Sequence, residues 1–237
     1  PFIFLFFFVV FFLFRETFTK GYVPVPADTL VGSYFPWLDY KWGYQVGVPV
    51  KNPPISDVFS QFFIWKHQLV SIFKQGAWPL WNHNSFSGTP LLATYHSAPF
   101  FPANLLFLLP KFWGWSLYIA SSTLIAMVGM YLFISRWVKS RSARVIAAII
   151  FALAGPMTTW SEFGTGVWAA AMLPFILYLV DQIILSKKYK LFPVVSLLTA
   201  FLLLAGHAQL DTYAAVLVPA YIFFRLFNSK IKNKTSL

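Results

Sequence analysis

The chain has no cysteine. That excludes disulfides, thiolate metal sites and a cysteine nucleophile, and it leaves the redox compartment open. Acids are scarce too, with seven Asp and Glu against eighteen Lys and Arg, and charged residues make up only 11% of the 237. A water-soluble globule carries about a quarter of its residues charged. With 58% hydrophobic residues and a mean hydropathy of +0.66, the composition predicts an integral membrane protein whose first partner is the lipid bilayer. A Walker-type glycine loop, a His-Glu-x-x-His zinc motif, a Gly-x-Ser-x-Gly elbow and a Cys-His pair are all missing, which removes the usual signatures of soluble enzymes. The net charge of +11 does not point to nucleic acid, because the basic residues punctuate apolar runs and so read as topology signals.

What is present is long apolar helix around one polar segment. Residues 1–14 form an apolar run shorter than the ~20 residues a span needs, so a truncated first transmembrane helix of an N-terminal fragment is expected. Arg15-Glu16-Thr17 is not a small-residue cleavage site, which argues against a signal peptide. Residues 15–111 gather prolines, tryptophans, asparagines and three of the four histidines. This composition predicts a folded extracytoplasmic loop with interfacial helices. Within it, an amphipathic helix is expected over 56–73, capped by Ser56 or Asp57, with Phe59, Phe62, Phe63, Leu69 and Ile72 on its apolar side and Gly76 ending it. The run 100–109, broken by Pro102 and Pro110, reads as a re-entrant or interfacial helix.

Residues 112–237 read as a five-helix transmembrane bundle with a basic cytoplasmic tail, its spans near 112–137, 143–160, 167–186, 191–206 and 211–227. Three short segments then carry the basic residues: Arg136, Lys139, Arg141 and Arg144; Lys187, Lys188 and Lys190; and Arg225, Lys230, Lys232 and Lys234. Placing them in the cytoplasm puts the large loop outside. The expected fold class is all-α, a polytopic membrane helical bundle of about six transmembrane helices with a large outer loop after the first.

Intramembrane and interfacial acids are costly, so each is a candidate site. Asp57 is a general base for an acceptor hydroxyl or the cap of its helix, and the two roles can coexist. Asp28 carries the same ambiguity, as base or turn residue. His207 and Asp211, four apart, share a face if the last helix starts early; two ligands are too few for a metal site, and a hydrogen-bonded capping pair is the simpler expectation. Glu162 is expected in an interfacial turn that closes over the loop. His83 and His96, with Trp78, Trp81 and Asn82, offer ring stacking and hydrogen bonds to a sugar, or an aromatic interfacial belt. Lys51, Lys66 and Lys74 are expected to be solvated or to face lipid phosphate. Asp181, near a cytoplasmic helix end beside Lys187 and Lys188, reads as a snorkelling or ion-paired structural acid.

The loop also carries ordered elements: Asp57-x-x-x-Gln61-Phe62-x-x-Trp65, Gly76-Ala77-Trp78-Pro79-Leu80-Trp81-Asn82, Phe86-Ser87-Gly88-Thr89-Pro90-Leu91-Leu92-Ala93, and Ser97-Ala98-Pro99-Phe100-Phe101-Pro102-Ala103-Asn104-Leu105-Leu106. Together with Gly206-His207-Ala208-Gln209 and Tyr213, they resemble the outer loop and a later element of the bacterial YfhO family. The resemblance implies a GT-C-like fold in a bacterial plasma membrane. It implies a glycosyltransferase that moves a sugar from a polyprenyl-phosphate donor to a cell-envelope acceptor, a glycan or a teichoic-acid-like polymer, on the outer face. By motif the catalytic acid is Asp57, with Asp28, nearer the first helix, as the second candidate. Gln61, Trp65, Trp81, Asn82, His83, His96, Glu162, His207, Gln209 and Asp211 are the expected substrate-binding residues. No metal ligands are assigned, although a divalent metal ion is one means of offsetting leaving-group charge. The competing expectation is a non-catalytic transport or flippase component for lipid-linked glycans, which needs a cavity but no base.

Overall fold

The computed structural model describes residues 2–110 and 113–234, with side chains through Asn228. Lys111, the boundary expected for the loop, and the side chains of Lys230, Lys232 and Lys234, expected in the basic tail, lie outside the described residues.

The apolar run forms α1 (Phe2–Leu13), and α2 (Arg15–Lys20) follows directly. The amides of Phe14 and Phe18 donate to the carbonyls of Val10 and Phe14 at 3.0 and 3.1 Å, so four-residue hydrogen bonding bridges the expected boundary at residue 14, although Phe14 itself, at φ −102° and ψ 25°, leaves the helical conformation. α2 ends at Gly21, whose φ of 72° is the left-handed conformation that closes a helix at lowest cost when no Cβ is present. A short α3 (Ala27–Ser33) and two 3-10 turns, Trp37–Gly43 and Pro53–Ser56, lead to a π-helical turn, Val58–Phe62, that runs straight into α4 (Phe63–Lys74). The amphipathic helix expected over 56–73 is therefore present, with an irregular start. Its buried residues are Val58, Phe62, Lys66 and Leu69, a stripe at three- and four-residue spacing.

A two-residue hairpin follows, β1 (Trp81–Asn82) antiparallel to β2 (Thr89–Pro90), with Trp81 opposite Pro90 and Asn82 opposite Thr89. The expected re-entrant or interfacial helix is a 3-10 helix, Pro102–Leu108, lying across the next helix. Gly114 makes that approach possible, since a Cβ there would sit 2.8 Å from the Phe107 Cα.

The remainder is α5 (Trp113–Ile134), α6 (Arg141–Ala152), α7 (Gly155–Ser161), α8 (Thr165–Ser186), α9 (Phe192–Leu204) and α10 (Ala208–Lys234). α5 packs on α6 and α8, and α8 packs on α9 and α10. Gly129 lets α5 meet α8 closely: a Cβ there would fall 2.6 Å from the Phe175 ring. Small residues at helix contacts are how apolar helices associate without a hydrophobic driving force. Trp115, Tyr118, Met127, Val167 and Ile176 fill the centre.

Among the described residues, α5, α8 and Ala208–Asn228 of α10 are long and apolar enough to cross a membrane. The span expected near 143–160 is instead the pair α6 and α7, bent by 49°. The bend falls where Gly155 and Pro156 open α7, because proline cannot donate to the preceding turn. Counting that pair, the apolar crossings number up to four, against the six expected. The difference lies in α1 and α9, whose 12 and 13 residues reach only ~20 Å of the ~30 Å hydrocarbon thickness.

Asp181 of α8 is fully buried and ion-paired. Its partners are Arg225 of α10, which donates to both carboxylate oxygens at 2.6 and 2.7 Å, Tyr221 at 3.0 Å and Arg136 at 3.6 Å. Lys187 and Lys188, the neighbours in sequence, do not contribute. Arg225 also stacks over Trp137 at 4.3 Å.

Candidate functional site

A cavity of about 340 Å³ opens between the polar segment and the helices, lined by Phe14, Pro24, Pro26, Asp28, Lys51, Asn52, Ile55, Ile119, Ser161 and Glu162. Each wall has a sequence reason. Pro26 starts the short helix that carries Asp28 in its first turn. The indole of Trp115 donates to the Pro24 carbonyl at 3.1 Å and ties that entry to α5. Gly32 admits the carbonyl of Val48, which would lie 2.6 Å from a Cβ, and so brings the strand-like segment carrying Lys51 against α3. The backbone amide of Lys51 then donates to the Asp28 carboxylate at 2.9 Å. On the opposite wall, Glu162 stands at the junction of α7 and α8, where Gly164, at φ 78°, turns the chain.

The two acids differ in environment. Oε2 of Glu162 is buried with no hydrogen-bond partner among the described residues. Burial, and secondarily the charge of Asp28, push the Glu162 carboxyl above the ordinary carboxylate range. Asp28 has one oxygen satisfied by a backbone amide. A carboxyl with raised proton affinity beside one that accepts a backbone hydrogen bond is the arrangement that lets two acids divide proton donation and acceptance.

Asp57 lies elsewhere. It is exposed, outside the lining of this cavity, and its carboxylate accepts from Gln61 at 3.2 Å. It makes no capping bond to the helix that follows, which corrects the expected N-cap: the π turn carries the first amides away from its side chain. Gln61 and Trp65 are half-buried, Trp65 packing on Phe62 at 5.8 Å.

The histidines form a second locus. His96 and His207 meet edge to face at 5.6 Å, between Phe62 and Trp160. His207 accepts the Leu210 amide at 3.4 Å and so caps α10 alone. Burial, and then the neighbouring His96, lower its affinity for a proton. Asp211 does not pair with His207 through its side chain as expected; it accepts a hydrogen bond from the Tyr95 hydroxyl, whose oxygen also lies 2.8 Å from the Leu203 carbonyl. Gly206 permits this docking, since a Cβ there would lie 2.5 Å from the Tyr95 carbonyl oxygen. Gln209 is exposed, donates to Tyr213 at 2.6 Å, and with His207 borders a small cavity of about 190 Å³.

The hairpin residues are separated from both loci by their roles. Asn82 is buried and consumed by structure, accepting from Gln68 and the Asn84 amide and donating to Ser85. Trp81 and His83 are exposed. Gly88 seats the Trp81 indole, which would meet a Cβ at 2.3 Å. Among the described residues no three His, Asp or Glu side chains converge to hold a metal ion.

Lys66 departs furthest from expectation. It is 1% exposed, its ammonium donating to the Ser97 carbonyl at 2.9 Å and lying 5.4 Å from the Tyr118 ring centre. With no carboxylate beside it, burial pushes its pKa down to about 7. The signal was present in the sequence: Lys66 stands four residues after Phe62 and three before Leu69, on the apolar stripe. Compared with protein-family models, curated proteins and solved structures, the chain matches none of them.

Proposed function

We propose that this chain is a membrane glycosyltransferase of the GT-C type, with its reaction centre in the cavity that holds Asp28 and Glu162. The observation that carries the reading is this pair of unlike carboxyl groups with Lys51 in one cavity beside apolar helices. The donor is a polyprenyl-phosphate-linked sugar and the acceptor a hydroxyl of a cell-envelope glycan or teichoic-acid-like polymer. Helices α1 and α2 together, and α9 together with the 3-10 turn Tyr189–Leu191 that precedes it, are read as the first and fifth of six crossings, and the basic segments keep the polar segment on the outer face of a bacterial plasma membrane.

The step is an in-line displacement. The acceptor oxygen attacks the anomeric carbon, the bond from that carbon to the phosphate oxygen breaks, and the lipid phosphate leaves with the electron pair. Asp28 takes the acceptor proton. Lys51 offsets charge on the phosphate, and Glu162, whose burial favours its protonated form, is placed to hydrogen-bond the sugar or the leaving group. Asp28 is preferred to Asp57 because it lines a cavity in which an acceptor is held away from bulk water, whereas Asp57 is exposed and already engaged by Gln61.

The test is transfer of labelled sugar from polyprenyl-phosphate hexoses in membranes containing the chain. Asp28→Asn is expected to lower the rate by roughly 10²–10⁴-fold, the usual worth of a positioned base, with insertion unchanged. Asp57→Asn is expected to retain most activity. Loss in Asp57→Asn alone returns the base to that residue. Lipid-linked glycan translocation that survives both substitutions, with no transfer in the parent, replaces the enzyme with the transport reading.

A further inference from the structure

A second and larger opening lies on the other side of α4. The groove, about 540 Å³, runs between α4 and the 3-10 helix Pro102–Leu108 and is lined by Leu69, Val70, Phe73, Phe100, Leu105 and Leu108, among others. Apart from Lys74 and Asn104 its lining is apolar. It adjoins a cavity of about 450 Å³ that shares Val70, Lys74 and Leu108 but is bordered by His67 and Ser71. Lys74 thus stands where an apolar space meets a polar one.

We propose that this pair of cavities binds one anionic phospholipid of the bilayer, with an acyl chain in the groove and the phosphate at Lys74. Three observations converge on that occupant. Among the described residues Lys74 has no ion pair, the pairs there being Lys20 with Glu16 and both Arg136 and Arg225 with Asp181, so its charge is available to a ligand. Nε2 of His67 is buried without a hydrogen-bond partner, its ring packed between Phe63 and Phe107, and the residue borders the polar cavity. The adjoining cavity also reaches Pro110, just before α5, a helix long and apolar enough to cross a membrane. That places Leu105 and Leu108, 68% and 55% exposed, at the depth where acyl chains and head groups meet. A soluble ligand would leave those leucines in water, whereas a lipid covers them and meets the lysine. The inference is independent of the glycosyltransferase reading, since none of these residues lines the Asp28 cavity.

Native mass spectrometry of the detergent-purified chain, with dioleoyl phosphatidylglycerol and dioleoyl phosphatidylcholine offered together, tests it. One phosphatidylglycerol is expected to be retained per chain, preferred about fivefold, the worth of one basic residue at a membrane surface. Leu105→Trp, which fills the groove from an exposed position, is expected to abolish retention, and Lys74→Gln to level the two lipids. Equal retention of both lipids by the parent chain, or undiminished phosphatidylglycerol on Leu105→Trp, overturns the proposal. So does a lipid-free dimer that Leu105→Trp dissociates, which would make a second copy the occupant. Circular dichroism checks folding, and Leu108→Trp replaces Leu105→Trp if the latter loses helix.

Discussion

Lys66 shows how one residue can work against the stability of the element that carries it. Its ammonium is removed from water and repaid by one carbonyl and the face of one ring. Unfolded, it titrates at 10.5; folded, near 7. Between those values the unfolded chain binds more protons, so stability rises with pH across that window and is level below it, where both states are charged. Lys66→Met keeps the packing and removes the titration. It is expected to be more stable than the parent near neutral pH, by a few kcal/mol at most, and to lose the alkaline rise. Thermal unfolding in detergent between about pH 7 and 10.5 measures this, and a rise that persists in Lys66→Met would assign it to another group. Residue identities at the site were only partly legible in the sequence. Asp28 and Glu162 were each visible as rare acids, but their convergence depends on Gly32, Pro26 and the α7–α8 turn, none of which encodes a partner by spacing.

At the scale of elements, periodicity located α4, α5, α8 and α10 well, because an apolar stripe or a long apolar run is a repeated signal. The π turn before α4 and the bend between α6 and α7 were not legible as such. Both follow from a few residues and their tertiary neighbours, which override the local period. Partners of charged groups were equally hidden: Asp181 chose arginines on α5's exit and α10, not the lysines six and seven residues on. That cluster joins three elements at one end of the bundle. Asp181→Ala leaves two arginines without a counter-charge and is expected to cost ~3–5 kcal/mol, the usual penalty for breaking a buried pair. The unfolding midpoint in detergent reads it, and adding Arg225→Met in the same chain should recover part of the loss. A midpoint that does not move in Asp181→Ala would show that α8 and α10 are held by packing alone.

For the molecule as a whole, the uneven placement of Lys and Arg predicts opposite sides for the hairpin and for the turn after α8. The chain's lack of cysteine makes this directly measurable. His83→Cys is expected to react with an impermeant maleimide on intact cells, and Lys188→Cys only after the membrane is opened; labelling of both from one side would overturn the topology. Last comes the attachment of α10, whose apolar stretch is 6% buried. It is fastened near its ends, by Asp211 to Tyr95 and by Arg225 to Asp181. The fourteen-residue separation of these fastenings makes almost four turns, so both project from nearly one face, ~21 Å apart. A slip of one turn would undo both together, which keys the register of α10 like two pins in one bar while the length between them stays open to new neighbours.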